Sequence, residues 1–287
     1  MRVSDGELSA ALGLPPGRLV RRRWARASSA PIELVSGDGR EAWVLKHLGG
    51  SRQGSRPSFL VDPAREREAY DVLPAELGAP RCRAAGPTWL LLERVDGVPL
   101  SEADGLEAWE AAARWLAQLH GTRIPRASHL LVHDEAHALR WLRRALAFAP
   151  AGALSAVEPV ARAAAARLAA LPAVLLHGEA YPSNLLVEIA ADGPRIRPVD
   201  WETLGTGPAA LDLAALTSGE WEPDERARVV SAYREAAGGG PADDELETAR
   251  LMVALQWIGW SASWTPPDGQ RQDWLGAAVC AAEALAR

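Results

Sequence analysis

The chain has 287 residues, 48% of them hydrophobic and 24% charged, which is enough to bury one large core or the cores of two lobes. It has no apolar run near the roughly 18 residues that a membrane helix requires, and its start does not resemble a signal peptide. Its two cysteines show neither the spacing of metal ligands nor that of a disulfide scaffold, so we expect a cytoplasmic protein with reduced thiols. The net charge of −6 is uneven, since residues 1–97 hold 15 Lys and Arg against 12 Asp and Glu while residues 98–287 hold 16 against 25, which disfavours a nucleic-acid partner and favours cations in the second part.

Short strand-like segments fill the first third of the chain. The runs IELVS, EAWVLKHL and TWLLLERV alternate or are rich in β-branched residues, and turn signals at Gly37–Gly39 and Asp96–Gly97 lie near their ends. These runs predict an antiparallel sheet. One helix interrupts them, in the segment DPAREREAYDVLPAEL, which carries Pro63 near its start.

Long helical patterns follow Gly97. They include LEAWEAAARWLAQLHGT, EAHALRWLRRALAF and VEPVARAAAARLAAL, whose apolar residues recur at helical spacing. Strands followed by helices are typical of an α+β fold.

Lys46 is the only lysine in the chain, and the other thirty basic residues are arginine. It lies on the predicted strand WVLKHL, about twenty residues before a helix that carries Glu66 and Glu68. A compact ammonium held by a carboxylate suits phosphate oxygens better than a rigid guanidinium does where space is tight. The alternative is an ordinary surface lysine.

A hairpin is predicted where LLVEI and RIRPV flank a turn containing Asp192. If a five-residue loop is symmetric about Asp192, Leu185 pairs with Val199. Asn184 and Asp200 then stand side by side at the open end. An amide oxygen and a carboxylate together suit Mg²⁺.

Glu179 lies five residues before Asn184, in the turn-like stretch LLHGEAYPSNLLV. The spacing E-x-x-x-x-N, followed by a hairpin and an aspartate, gathers a potential base and two metal ligands at one place.

These segments resemble the aminoglycoside phosphotransferase and choline kinase group, small-molecule relatives of the protein kinases. HGEAYPSN and VDWE stand where the group has HGD-x-x-x-x-N and a following aspartate, and VLK, LLLERVDGVPL, LAQLHGT and GPAALDLAAL occur in the matching order. The resemblance implies a bilobal kinase-like fold, with a nucleotide-binding N-lobe over residues 1–95 and a helical C-lobe over residues 96–287.

The resemblance also implies ATP and Mg²⁺ as cofactors. Lys46 would contact the phosphates and be held by Glu66, with Glu68 the less favoured partner, while adenine would meet the backbone from Glu93 to Val95. Asn184 and Asp200 would hold Mg²⁺. Glu179 would orient or deprotonate a hydroxyl of a small-molecule substrate.

Two departures from the family pattern qualify these roles. No G-x-G-x-x-G precedes Lys46, so the phosphate-covering loop would rely on donors such as Ser28 and Ser29. Glu179 replaces the usual aspartate, which leaves open a catalytically silent nucleotide-binding module as the alternative to an enzyme. His177 and Asp212 are expected to be structural, bracing or capping groups.

The acceptor is suggested by aromatic residues near the C-terminus and by the acidic charge of residues 98–287. Trp257, Trp260 and Trp264 recur at i, i+3 and i+7, with Trp274 further on, which fits either helix packing or an aromatic wall for a sugar or amine. With the acidic C-terminal part, this pattern favours an amino sugar, an aminoglycoside or a related amine or sugar alcohol.

Overall fold

The computed structural model describes residues 3–15, 17–24, 32–37, 42–48, 57–260 and 272–287. Ser28, Ser29, Trp264 and the part of the predicted turn after Gly37 lie outside these ranges. The predicted α+β organisation, an antiparallel N-terminal sheet followed by a mainly helical C-terminal part, is confirmed.

The helices of the described ranges are α1 (Asp5–Leu12), α2 (Pro63–Val72), α3 (Leu106–Gly121), α4 (Glu135–Phe148), α5 (Val157–Ala169), α6 (Ala210–Leu216), α7 (Pro223–Ala237), α8 (Asp243–Ile258) and α9 (Trp274–Leu285). The strands are β1 (Leu19–Arg23), β2 (Ile32–Gly37), β3 (Trp43–His47), β4 (Cys82–Gly86), β5 (Trp89–Glu93), β6 (Val98–Pro99), β7 (Leu131–Val132), β8 (Ala173–Leu176), β9 (Leu185–Ala190), β10 (Gly193–Pro198) and β11 (Gly205–Pro208). None of these helices combines the length and apolar character that a membrane span requires.

The N-terminal sheet has the strand order β1-β2-β3-β5-β4, with every pair antiparallel. Lys46 lies on the central strand β3, where it pairs with Ile32 on one side and Leu90 on the other. Pairing on both sides fixes the backbone of Lys46, so the direction of its long side chain is set by the sheet.

Helix α2 is shorter than the sequence suggested. Its N-terminus is capped by the Asp62 side chain, which accepts from the Ala64 N–H at 3.0 Å, and Pro63 occupies the first turn, where a missing N–H costs nothing. The helix ends at Val72 because Leu73, with ψ 133°, precedes Pro74, and proline disfavours helical geometry in the residue before it.

The C-terminal core forms around α3 and α8. Helix α3 buries Ala112, Leu116 and Leu119 on one face, at the spacing of an amphipathic helix. In α8 the run from Leu251 to Leu255 is buried on all sides, because helices α4, α5, α6 and α9 pack around it. Each buried leucine contributes about 1.5–3 kcal/mol through removal of apolar surface from water.

The β9–β10 hairpin forms, but its register differs by one residue from the expected one. Ala190 pairs with Gly193 across a two-residue turn, so Leu185 pairs with Pro198, and the Val199 N–H donates to the Asn184 carbonyl at 2.9 Å. The tight turn is possible because Gly193 adopts φ 116°. Asn184 therefore faces Val199, and Asp200 lies one residue further along.

Candidate functional site

A cavity of about 270 Å³ lies between the N-terminal sheet and the β9–β10 hairpin. We call the segment from Glu93 to Val95 the hinge. The walls of the cavity combine charged, polar and apolar side chains, including residues of the hinge and of the hairpin: Trp24, Ile32, Val44, Lys46, Glu66, Tyr70, Pro80, Leu92, Glu93, Arg94, Val95, Ser183, Asn184, Leu186, Val199 and Asp200.

The Lys46 ammonium is the central charge of this cavity. Its Nζ donates to Glu66 Oε1 and to Asp200 Oδ1, each at 2.6 Å, and its side chain is only 8% exposed. Burial opposes the charged form, but the two carboxylates outweigh burial and hold the pKa of Lys46 above its ordinary value. Lys46 is therefore a fixed cation rather than a solvated surface group.

Glu68, the less favoured partner of Lys46, turns elsewhere. Its carboxylate accepts the backbone N–H groups of Ser128 and His129, at 2.8 and 2.7 Å. Of the two candidate glutamates, Glu66 therefore lies against the lysine.

Three carboxylates converge beside Lys46. Ligand oxygens of Glu66, Asp200 and Glu202 all lie within 4.8 Å of one another. Asp200 has φ 67° and is the only non-glycine residue with positive φ in the described ranges, a conformation that the surrounding structure must hold. Glu202 had not been singled out in the sequence, because its part in the cluster depends on α2, which is distant along the chain.

The loop from His177 to Asn184 has a defined internal geometry. Gly178 adopts φ 82°, and a Cβ there would collide with the Thr203 carbonyl, so only glycine fits. The Glu179 carbonyl accepts from the Tyr181 N–H at 2.7 Å and from Asn184 Nδ2 at 2.9 Å. The Asn184 side chain is thus in direct contact with the main-chain carbonyl of Glu179.

The Glu179 side chain is itself buried, with the residue 6% exposed. Burial, together with the nearby Glu179 carboxylate, raises the pKa of Tyr181 well above its ordinary value, so the phenol stays protonated.

The Asp212 side chain holds the start of this loop. Its two carboxylate oxygens accept the backbone N–H groups of His177 and Gly178, at 2.7 and 2.9 Å. His120 Nε2 lies 3.3 Å from the same carboxylate, and His120 Nδ1 lies 2.7 Å from the Tyr233 hydroxyl. Asp212 therefore braces the loop and does not cap α6, whose N-cap residue is Ala209.

His177 has a bracing role, as expected. Its ring is fully buried, and Nε2 lies 3.1 Å from the Val199 carbonyl, next to Asp200. Burial lowers the pKa of His177, so the ring is neutral at physiological pH. The histidine therefore links the loop to the hairpin end that carries Asp200.

We expect the Asp212→Asn variant to lose about 3 kcal/mol of unfolding free energy at pH 7, because an amide cannot accept from both loop N–H groups. Burial alone would raise the pKa of Asp212, but its contacts with His120 and His177 hold the pKa below the ordinary value. A carboxyl group whose pKa is lower in the folded than in the unfolded state stabilises the protein at pH values above the unfolded-state pKa. This stabilisation is lost as the pH falls through the folded-state pKa. Urea denaturation between pH 7 and pH 3 should therefore show a shallower acid loss in the variant. An identical pH dependence in both proteins would contradict this assignment.

The hinge residues close the other end of the cavity. The Glu93 carboxylate is engaged by two arginines, since it accepts from the Arg81 N–H at 3.0 Å and from Arg197 Nη2 at 3.1 Å. Val95 lines the cavity beside apolar Leu92 and Leu186. Apolar walls of this kind are suited to a flat aromatic ring.

An aromatic cluster contacts the loop from His177 to Asn184 through Tyr181. The Tyr181 ring lies 4.9 Å from that of Trp257, which stacks on Trp274 at 5.3 Å, and Trp260 stacks on Trp141 at 5.7 Å. Helix α8 ends at Ile258, so Trp260 lies beyond it and the expected continuous helical face is not formed. The tryptophans pack together and also border the loop that carries Glu179.

The charges and oxygens of the cavity fit a magnesium nucleotide. Asn184 uses its side-chain nitrogen on the loop carbonyl, which leaves the amide oxygen for a cation, and Asp200 lines the same cavity. The carboxylate oxygens that converge from Glu66, Asp200 and Glu202 are of the hard type that divalent cations such as Mg²⁺ bind.

Comparisons with known proteins are consistent with this geometry. The sequence pattern of the phosphotransferase enzyme family matches residues 21–250. No curated protein matches the chain.

Solved structures share the fold at low sequence identity. The choline kinase LicA from Streptococcus pneumoniae is 15% identical with a TM-score of 0.68, covering 98% of this chain and 96% of that one, and it has also been solved in complex with AMP. A putative fructosamine-3-kinase from Thermobifida fusca is 20% identical with a TM-score of 0.63, covering 93% of each chain. The macrolide 2'-phosphotransferase MphH from Brachybacterium faecium is 21% identical with a TM-score of 0.59, covering 97% of this chain and 96% of that one.

Proposed function

The chain belongs to the phosphotransferase enzyme family, and from that premise we propose that it transfers the γ-phosphoryl group of Mg-ATP to a hydroxyl of a small molecule. The observation that carries the proposal is the Lys46 ammonium, 2.6 Å from both Glu66 and Asp200 in a cavity bordered by the hinge. Phosphoryl transfer depends mostly on positioning and charge neutralisation, and this arrangement offers both.

Several residues of the cavity then have a part in holding the nucleotide. When bound, Mg-ATP supplies the transferable phosphoryl group and a divalent charge that offsets the phosphates. Lys46 contacts phosphate oxygens, and Glu66 fixes the position of the ammonium. Asn184 and Asp200 provide oxygen ligands for Mg²⁺, and the main chain from Glu93 to Val95 receives the adenine.

Glu179 accepts the proton of the substrate hydroxyl, or orients that hydroxyl, in this proposal. A carboxylate in a buried loop that also holds the metal ligand Asn184 is suited to general base catalysis, and the ordinary pKa of glutamate is close to that of aspartate.

The acceptor is proposed to be an amino sugar, an aminoglycoside or a related amine or sugar alcohol. The aromatic cluster around Trp257 borders the loop through Tyr181, and indole faces attract cations and sugar rings. Residues 98–287 carry an excess of acidic residues, which also favours a cationic acceptor.

The proposal is tested by incubating purified protein with Mg-ATP and a panel of amino sugars, aminoglycosides, choline-like amines and nucleosides. ADP release together with a product 80 Da heavier, the mass of an added phosphoryl group, is the expected result for at least one acceptor class. Nucleotide binding without turnover on any acceptor would instead support the catalytically silent module.

We expect the Lys46→Arg variant to lose at least about tenfold in kcat/KM for ATP, because a guanidinium fork does not fit between two carboxylates that hold a point charge. Steady-state kinetics with varied ATP measures this loss. Arg83→Lys, on the exposed face of β4, is the control for an arginine–lysine exchange. Wild-type kinetics in Lys46→Arg would remove Lys46 from the site.

A further inference from the structure

Arg65 directly precedes Glu66 in the chain, and its guanidinium is buried, with the side chain 8% exposed. Its closest partners are three backbone carbonyls rather than a carboxylate. Nε donates to the His129 carbonyl at 2.8 Å, and Nη1 donates to the carbonyls of Leu60 and Glu202, at 3.0 and 2.8 Å. The nearest carboxylate, that of Asp62, lies 3.9 Å away. Burial accordingly lowers the pKa of Arg65, so this charge is held at an energetic disadvantage.

The bond to Glu202 connects two parts of the proposed phosphate site. Glu66 follows Arg65 on α2, and Asp200 stands two residues before Glu202, so one side chain ties together the segments that carry both partners of Lys46. Asp200 also has the positive φ that the surroundings must maintain. A bond to the main chain two residues away is well placed to maintain it.

Two more α2 side chains hold the same face of the helix to the C-terminal part. Asp62 Oδ2 lies 2.9 Å from His129 Nδ1, and Glu68 accepts the N–H groups of Ser128 and His129. We call Asp62, Arg65 and Glu68 the α2 anchor. Among them, only Arg65 bonds to the segment after Asp200.

We propose that Arg65 is a positioning residue for the metal side of the site, holding Asp200 and Glu66 at the separation that Lys46 spans. This inference rests on the proposed function. Arg65 touches neither nucleotide nor acceptor in it, and acts through the 200–202 main chain. Residues that orient metal ligands in this way typically change metal affinity or activity by 10–100-fold when replaced.

The test compares Arg65→Lys and Arg65→Met with Arg234→Met. Arg234 is a matched control because its guanidinium also donates to a backbone carbonyl, that of Pro241, at 3.1 and 2.6 Å, between α7 and α8. Calorimetry measures nucleotide affinity with Mg²⁺ and with EDTA, and thermal denaturation measures stability. Arg65→Lys keeps the charge and guards against loss of folding in Arg65→Met.

We expect both Arg65 variants to reduce the Mg²⁺-dependent gain in nucleotide affinity by about tenfold, and to raise the Mg²⁺ concentration for half-maximal turnover by a similar factor. Arg234→Met should lower Tm and leave both quantities unchanged. Arg65 variants that have a lower Tm but keep the wild-type Mg²⁺-dependent gain in nucleotide affinity would overturn the proposal and show that Arg65 is only a structural residue. A wild-type protein whose nucleotide affinity does not respond to Mg²⁺ would instead contradict the proposed function.

Discussion

The Asp200→Asn variant is expected to lose roughly 10³-fold or more in Mg-dependent turnover, the largest effect among single substitutions at this site. The change removes one negative charge from a cluster of three carboxylates and replaces a strong oxygen ligand with a weak one. The fold should survive, because asparagine tolerates the positive φ of this position and Lys46 keeps its bond to Glu66. Turnover at varied Mg²⁺, with circular dichroism and Tm as checks of folding, measures the effect.

Asp192→Asn is the matched control for this variant. It makes the same chemical change in the turn of the same hairpin, where the side chain is 81% exposed and its ion pair with Arg195 spans 3.9 Å. The control should keep wild-type turnover and Mg²⁺ dependence. Wild-type Mg²⁺ dependence in Asp200→Asn would refute the metal assignment and leave Asp200 as a partner of Lys46 alone.

The sequence was most informative where composition restricted a residue. In a chain with a single lysine, Lys46 stood out without any structural knowledge, and strand periodicity placed it on a paired strand. Its two carboxylate partners lie 20 and 154 residues away in the chain. The contact with Glu66 was within reach of a local argument about the following helix. The contact with Asp200 was not predicted, because the sequence pattern indicated Asp200 only as a metal ligand.

The hairpin shows where a local argument loses accuracy. Alternation and an Asp-Gly signal predicted the two strands, but not whether the turn had two residues or five. Gly193 allows the tighter turn, which shifts every pair by one position. Asn184 and Asp200 still line one cavity, because the loop and the chain after β10 converge there.

The supporting contacts could not be predicted, because they join residues distant along the chain. Arg65 reaches the Glu202 carbonyl over 137 positions, and His120 reaches Tyr233 over 113. Arginine and histidine on helices are common in any globular protein, and nothing local distinguishes the ones that brace a site. Only the packing of α2 against the chain after Asp200, and of α3 against α7, reveals them.

Glu179 is the residue on which the choice between an enzyme and a silent module depends. The loop around it is held at several points: Asp212 binds the preceding N–H groups, Asn184 binds its carbonyl, and the buried Tyr181 packs on Trp257. Tyr181 and Pro182 together make the loop stiff after Glu179. A stiff, buried support fixes how far the backbone stands from the cavity, so side-chain length at this position should matter.

Glu179→Gln is expected to lower kcat by roughly 10² or more while ATP affinity hardly changes, since the amide keeps the size of the side chain but cannot accept a proton. Glu158→Gln, on α5 and remote from the cavity, makes the same chemical change where we expect none in kcat. Transfer kinetics and nucleotide titration of the two variants measure the difference. A kcat in Glu179→Gln equal to that of the wild type would exclude Glu179 as the base.

The Glu179→Asp variant tests whether the loop is adapted to glutamate or still fits the aspartate that is usual in the family. If the stiff loop is set for the longer side chain, aspartate falls about one methylene short of the acceptor hydroxyl, and kcat drops although the family's usual residue has been restored. A misplacement of this size costs up to about 10²-fold in near-attack geometry, with little change in ATP affinity. An aspartate variant more active than the wild type would show that the loop still fits the shorter carboxylate. Glu179 would then be an inactivating substitution in a phosphotransferase fold, and the chain would serve as a nucleotide-binding module.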